Sequence, residues 1–361
     1  MIKMSKSRGE YIRKMFIPFS VTIICVYALY LRILVLFDRT LGTDELYQLV
    51  QMKGTFFELL KGLPELEYCS YLSGDYYLIY PFFKIFSYNK FGLAIPHIIA
   101  TIIGFYLLYL ICKMYFKSAW AYIITFTIVC FNGTLINHAT EIRTYAVLPT
   151  LALATFYLLK KMADVDFISN IAKKIGAIIF FVLVICFHAY GILIFSSCFF
   201  TVILFKYKEK SFKICVKNAV PLGAITICLA MPLLIVSFLG PHLRYDVPKI
   251  DAFQYIPNPI YNIIGFLKGI FCNLIGFKKL YFLLAGALVP FILHHNDRYK
   301  QLLFLSFIVI FPISVIFFSD IMHSYWFIQR QFIWVMPLFA FLLGWTWDSL
   351  FIKLNARWGR K

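Results

Sequence analysis

Long apolar segments dominate the 361-residue chain and limit the class of structure that it can form. Hydrophobic residues make up 61% of the sequence and charged residues only 14%, whereas an average soluble domain carries about 25% charged residues. So little charge cannot cover a water-facing surface, which excludes soluble enzymes, disordered chains and disulfide-rich secreted modules. The composition predicts an all-α, polytopic transmembrane bundle that forms one domain over residues 1–361.

Ten apolar segments are candidates for crossing the bilayer. A full crossing needs about 20 residues at a rise of about 1.5 Å each. Several segments are shorter, so their helices must be short, extend past these limits or lie against protein. The segments are 16–37, 92–112, 119–131, 145–159, 175–188, 190–205, 219–239, 280–293, 302–318 and 332–350.

Residues 175–205 could form either one long helix or a tight pair of helices. Lysines flank this stretch on both sides, at 173 and 174 before it and at 206 and 208 after it. Two basic flanks on the same side of the membrane require an even number of crossings. We therefore predict a pair, with its turn at His188-Ala-Tyr-Gly191.

The basic residues indicate orientation. The net charge of +18 does not indicate nucleic-acid binding, because these residues lie between apolar segments and not on one soluble face. With ten crossings, 22 of the 35 lysines and arginines but only six of the 17 acids fall on one side. The positive-inside rule makes that side, with both termini, cytoplasmic. The outer loops 38–91 and 240–279 carry short apolar stretches, 76–86 and 260–277, that suit helices lying in the interface.

Paired acids, Asp44 and Glu45, follow the first apolar segment on the predicted outer side. A carboxylate there could act as general base toward a sugar or lipid hydroxyl, or it could bind a cation. The alternative is structural, because Thr43 or Asp44 could cap a helix that starts at Glu45.

A second polar group spans His138 to Ala146, at the outer ends of the third and fourth predicted helices. Arg143 could hold a phosphate, because its planar guanidinium donates paired hydrogen bonds, while Glu141 orients that phosphate or binds the acceptor. Alternatively, Glu141 and Arg143 pair with each other or meet lipid headgroups.

Four further residues complete the candidate set on the same side. His188 at the predicted turn could donate to a phosphate oxygen, or it could be an ordinary interfacial residue. Arg330 could be functional or could extend to the headgroups. Asp75 and Lys84 lie in an aromatic stretch, where Asp75 could cap a helix and Lys84 could anchor at the interface. No phosphate-binding loop or GxGxxG motif is present, so nucleotide binding is unsupported.

The order and spacing of these groups resemble the GT-C superfamily of membrane glycosyltransferases, in the branch of protein O-mannosyltransferases and lipid A aminoarabinose transferases (glycosyltransferase family 39). Asp44-Glu45 resembles the acidic pair of that family. The stretch from Asp75 to Lys84 resembles its H-P-P-L segment, but Asp75 replaces the histidine and two tyrosines replace the prolines. Further matches are Ile95-Pro96, Glu141-Ile-Arg143-Thr-Tyr145-Ala for E-x-R-P-Y-A, Phe187-His188-Ala-Tyr190 and Arg330-Gln-Phe.

This resemblance implies a GT-C bundle in a bacterial inner membrane that transfers sugar from a polyprenyl-phosphate donor to an extracytoplasmic lipid, glycan or protein, with inversion. Asp44 would be the general base, with Glu45 assisting. The residues implied in substrate or phosphate binding are Asp75, Lys84, Glu141, Arg143, Tyr145, His188 and Arg330. A divalent cation is left open, since family members differ. Two other functions stay open: a flippase or transporter of polyprenyl-linked lipid, and a polysaccharide polymerase.

Overall fold

The computed structural model describes most of the chain and leaves out one long stretch near residue 270. The predicted segment 280–293, the second outer loop 240–279 and Arg330 lie outside the described residues. The residues described are 2–63, 72–163, 170–207, 209, 212–238, 298–323 and 332–358.

The described residues fold into helices, joined by short turns, a 3-10 segment at Thr144–Ala146 and a π-helical segment at Leu305–Ile310. The α-helices are α1 (Ile2–Asp38), α2 (Thr43–Gln51), α3 (Phe56–Gly62), α4 (Gly74–Phe86), α5 (Lys90–Tyr115), α6 (Ala119–Phe131), α7 (Gly133–His138), α8 (Leu148–Met162), α9 (Ile171–Phe187), α10 (Gly191–Phe205), α11 (Phe212–Phe238), α12 (Arg298–Phe304), α13 (Phe311–His323) and α14 (Val335–Trp358).

Five stretches of this helical structure are long and apolar enough to cross a bilayer, among the residues that the structure describes. They lie in α1, in α5, in α11, in the continuous run from α12 into α13, and in α14. Two shorter apolar helices, α6 and α10, coincide within a residue with predicted segments. The predicted all-helical membrane bundle is thereby confirmed.

The stretch 175–205 is a pair of helices, as predicted. Helix α9 ends at Phe187, and His188 is extended with φ −160° and ψ 156°. The chain then returns so closely that a Cβ on Gly191 would lie 2.0 Å from the carbonyl oxygen of Val184. Glycine is therefore needed at the start of α10.

Helix α14 is the centre of the bundle. Its apolar window is 78% buried inside the protein, against 22% for α1 and α11. It packs on α6, α8 and α5. Near its end, the Asp348 carboxylate accepts hydrogen bonds from the backbone N–H groups of Lys117 and Ser118, at 3.0 and 2.5 Å. These amides precede α6, whose N-cap is Ser118, so a side chain of the last helix binds the turn before α6.

Helices α2 to α4 form a small separate core between α1 and α5. The residues buried there include Leu49, Ile79, Leu93 and Ile142. The predicted interfacial stretch 76–86 thus falls inside α4. At its start, a Cβ on Gly74 would lie 2.8 Å from the Cα of Phe187, so glycine allows α4 to approach the end of α9.

We predict opposite effects for two glycines within helices. A Cβ on Gly344 in α14 would meet the Thr125 Oγ1 of α6 at 1.9 Å, whereas a Cβ on Gly176 in α9 would meet nothing within 4 Å. Gly344→Ala should destabilise the protein by about 1–3 kcal/mol, because α6 and α14 must separate. Gly176→Ala should be neutral or stabilise it by about 0.5–1 kcal/mol. Thermal unfolding of the detergent-solubilised variants measures both effects, and equal stability of the two variants would contradict the close packing.

Candidate functional site

One end of the bundle, which we call the site end, gathers the end of α1, the starts of α2, α5 and α8, and the turn between α9 and α10. The contacts there join segments that are distant in sequence. For example, the Lys90 Nζ at the start of α5 donates to the carbonyl oxygens of Phe37 and Arg39 at 2.8 and 2.7 Å. The site end therefore has a defined geometry.

Asp44 and Arg143 meet at the site end. The Arg143 guanidinium donates from Nη1 to the Asp44 carboxylate. It also lies over the Tyr145 ring, 5.5 Å from its centroid. The Asp44 side chain remains 60% exposed and that of Arg143 27% exposed, so the carboxylate can be reached from solvent. Two predicted site residues 99 positions apart are thus in direct contact.

Glu45 is buried and fully engaged. Its carboxylate forms an ion pair with Arg39 and accepts from the backbone N–H groups of Gly42 and Ile142 at 2.7 and 2.6 Å. Helix α2 begins at Thr43, not at Glu45, and the carboxylate that reaches back to the Gly42 amide is that of Glu45. The alternative in which Thr43 or Asp44 caps a helix starting at Glu45 is therefore wrong.

The segment before Tyr145 is fixed from two directions. Arg39 donates to the Thr140 carbonyl oxygen at 2.5 Å, and the Ile142 backbone N–H donates to the Glu45 carboxylate. Glu141 faces His138, with 2.7 Å between Oε2 and Nδ1. Burial raises the pKa of Glu141, but the bond to His138 and the charges of Arg39 and Arg143 outweigh it and keep the pKa below its ordinary value. Glu141 and Arg143 do not form the pair that one alternative expected, because each has another partner.

Asp75 is buried in a hydrogen-bond network with two residues, Gln48 and His97, that were not among the candidate site residues predicted from the sequence. The Gln48 Nε2 donates to its Oδ2 at 2.9 Å, and the His97 Nε2 lies 3.0 Å from its Oδ1. Asp75 occupies the first turn of α4, whereas the cap position is Ser73. His97 could have been noticed as a polar residue inside the apolar helix α5. Gln48 lies in a short amphipathic helix and gives no such signal.

His188 faces Tyr145, with ring centroids 6.2 Å apart. The Tyr190 backbone N–H donates to its Nδ1 at 3.1 Å, which leaves the proton of a neutral imidazole on Nε2. Burial and the nearby Arg143 charge lower the pKa of His188 to about 4, although Asp75 acts in the opposite direction. At neutral pH the ring is therefore an uncharged donor.

Lys84 does not join this group through any contact that the structure describes. It lies nine residues after Asp75, about 14 Å further along α4. Its Nζ donates to the Lys53 carbonyl oxygen at 2.8 Å and lies 5.1 Å from the centroid of the Tyr80 ring. Its role in phosphate binding stays a prediction, as does that of Arg330, which lies outside the described residues.

The described part of the chain holds no group of three His, Cys, Asp or Glu side chains placed to bind a metal ion. What the site end does hold is an accessible carboxylate beside a guanidinium, with a neutral imidazole and two buried acids around them. These are groups for proton transfer and anion binding. Together with the helices, they define a polytopic integral membrane protein with a polar site at one end.

The fold has a counterpart among solved structures. It is similar to the crystal structure of ArnT from Cupriavidus metallidurans bound to undecaprenyl phosphate, with a TM-score of 0.59 and 13% sequence identity. The similarity covers 91% of this chain but 60% of that one, so the chain spans about three fifths of the length of ArnT. No family model and no curated protein matches the sequence. The likeness therefore shows the fold but not the activity.

We predict that His188 makes stability depend on pH. Its pKa is about 4 when folded and about 6.5 when unfolded, so the unfolded chain binds more protons between these values. Stability should therefore fall as pH drops from 6.5 toward 4, by at most about 3 kcal/mol. Thermal unfolding across this range should show a shallower pH dependence for His188→Gln than for the wild type. Identical slopes would show that His188 titrates normally.

Proposed function

We propose that the protein is a glycosyltransferase that moves a sugar from a polyprenyl-phosphate donor to an acceptor hydroxyl on the outer face of the membrane, with inversion. The observation that carries the proposal is the contact between Asp44 and Arg143 within a fold of the GT-C type. A base for the acceptor and a guanidinium that holds this base in place then lie side by side. The relative, ArnT, was crystallised with undecaprenyl phosphate, which supports a lipid-phosphate donor here.

Asp44 is the general base of this mechanism. Its carboxylate lies beside Arg143 and is open to solvent, so an acceptor hydroxyl can reach it. The acceptor oxygen attacks the anomeric carbon, its proton passes to Asp44, and the bond between that carbon and the phosphate oxygen breaks. The sugar inverts because this is a single displacement, and polyprenyl phosphate leaves with the bonding electrons.

The surrounding residues position the base and bind the substrate. The Arg143 guanidinium lies over the Tyr145 ring, which supports it. The His188 Nε2–H can donate to a phosphate or sugar oxygen, since its Nδ1 is already occupied. Glu45 holds the segment that carries Arg143, and Asp75 joins α4 to α2 and α5. Positioning of this kind can supply much of a rate enhancement.

The charge distribution supports an outer location for the site. The opposite end of the bundle carries the basic loop in which Glu209 pairs with both Lys206 and Lys300, at 2.8 and 3.0 Å. Basic loops of polytopic membrane proteins lie in the cytoplasm. The site end would then face away from the cytoplasm, where a lipid-linked sugar is presented.

We predict that Asp44→Asn lowers sugar transfer by about 10²–10⁴-fold without unfolding the protein, because the amide cannot accept the proton. Transfer from a polyprenyl-phosphate sugar in proteoliposomes measures this loss. Glu58→Gln is the matched control, since Glu58 is an exposed acid whose N-terminal capping contact glutamine preserves. Unchanged turnover in Asp44→Asn would remove Asp44 as the base.

For Glu45 we expect a combined effect on folding and turnover. Glu45→Ala leaves the Arg39 charge without its partner and two backbone amides without an acceptor, so stability should drop by about 2–4 kcal/mol together with transfer. Parallel thermal unfolding and turnover assays separate this positioning role from the chemical role of Asp44. A fully stable but inactive Glu45→Ala variant would instead indicate direct participation in the reaction.

A further inference from the structure

An apolar cleft adjoins the site end at Tyr145. It lies between α1, α5, α6, α8 and the start of α14, and is partly open. Its lining includes Arg32, Phe105, Val129, Tyr145, Pro149 and Ile333. The Arg143 guanidinium lies over the Tyr145 ring. Tyr145 therefore borders both the cleft and the site end.

Arg32 is the cationic residue of this cleft. It lies six residues before the end of α1, about 9 Å along the helix, and is only 3% exposed. Its Nη1 donates to the carbonyl oxygens of Ala28 and Cys130, at 2.9 and 3.1 Å, and its guanidinium lies 5.3 Å from the centroid of the Phe105 ring. The contact with Cys130 places a positive charge at the end of α6, where the helix dipole favours it.

These contacts leave the guanidinium incompletely satisfied. The Arg32 Nε–H is buried and has no hydrogen-bond partner. Among the described residues, no carboxylate lies within ion-pair distance of Arg32, and a helix end supplies only about half an elementary charge. A charged group at membrane depth without a counterion is costly. An anionic ligand bound to Arg32 would offset this cost.

The other described cations at the site end already have partners. Arg143 faces Asp44, Arg39 faces Glu45, and Lys90 donates to two carbonyl oxygens. His188 is neutral at pH 7. Among the described residues that line the cleft, the cation without a carboxylate partner is Arg32.

We propose that Arg32 binds the phosphate of the lipid-linked donor, with the first isoprene units in the apolar cleft. This assignment of the ligand rests on the proposed function. In the donor, the phosphate is a diester with one negative charge, and transfer of the sugar leaves a monoester that carries up to two. The Arg32 Nε–H, which has no other partner, can donate to the oxygens on which this charge develops and so stabilise it. Arg143 then serves to hold Asp44.

Binding of farnesyl phosphate to the purified full-length chain in detergent tests the proposal without requiring turnover. Farnesol and inorganic phosphate serve as probes for the tail and the anion alone. We expect farnesyl phosphate to bind at least about tenfold more tightly than either, because it alone fills both parts of the site. Arg32→Gln should weaken farnesyl phosphate binding at least about tenfold, the size expected for a lost charged hydrogen bond.

Lys90→Gln is the charge-matched control, since Lys90 carries the same charge near the same end of the bundle but faces backbone carbonyls. It should change affinity by no more than about twofold. If Arg32→Gln does not fold, Ala139→Phe provides a second test. Ala139 lines the cleft and is 6% exposed, so phenylalanine there should exclude the isoprenoid tail and weaken farnesyl phosphate and farnesol alike.

The outcomes separate the two proposals. Wild-type affinity in a folded Arg32→Gln variant would overturn the assignment of Arg32, as would unchanged affinity in Ala139→Phe. Inorganic phosphate binding as tightly as farnesyl phosphate would reduce the site to one for free anions and would also overturn it. Arg32-dependent binding of farnesyl phosphate by a wild-type protein that transfers no sugar would support the lipid site while the proposed transferase function fails.

Discussion

The buried carboxylate of Glu45 is the interaction on which the site depends. It joins the end of α1 through Arg39, the start of α2 through Gly42 and the segment before Tyr145 through Ile142. A carboxylate removed from water needs such partners. Arg39 and Gly42 belong to the turn between α1 and α2, whereas Ile142 lies 97 residues beyond Glu45. Satisfying one charge therefore joins this turn to the segment before Tyr145, and the contact between Asp44 and Arg143 follows from that arrangement.

Much of the architecture could be predicted because a membrane imposes simple rules. Apolar length and flanking lysines were sufficient to predict the pair α9 and α10, and their turn at His188. The proximity of Asp44 and Arg143 could also be expected, because the segments that carry them end on the same side of the membrane. The order of the apolar segments and the lysines and arginines between them indicate on which side of the membrane each loop lies, and both can be read from the sequence.

What the sequence could not provide was the rotation of each helix about its axis. Helix α5 is apolar nearly all round, so no periodicity shows that His97 faces Asp75. From the sequence, Arg32 could not be distinguished from other charged residues near the ends of apolar segments. Its burial depends on how α1 packs against α6. Lys84 illustrates the converse: it shares a motif-like stretch with Asp75, but helix geometry places it at the other end of α4. Capping was similarly hidden, because Glu45 and not its neighbours contacts the Gly42 amide.

The carboxylate of Asp348 has a consequence for motion. By holding the amides that precede α6, it fastens the central helix to its neighbour at the end opposite the cleft, and the Glu209 bridge fastens α10 to α12 on the same side. The site end has polar contacts of its own, from Lys90 to the end of α1 and from Glu45 to Arg39 and Ile142. Polar contacts thus oppose the separation of α6 from α14 at one end and of α1 from α5 at the other, so a lipid tail would have to enter the cleft between apolar side chains.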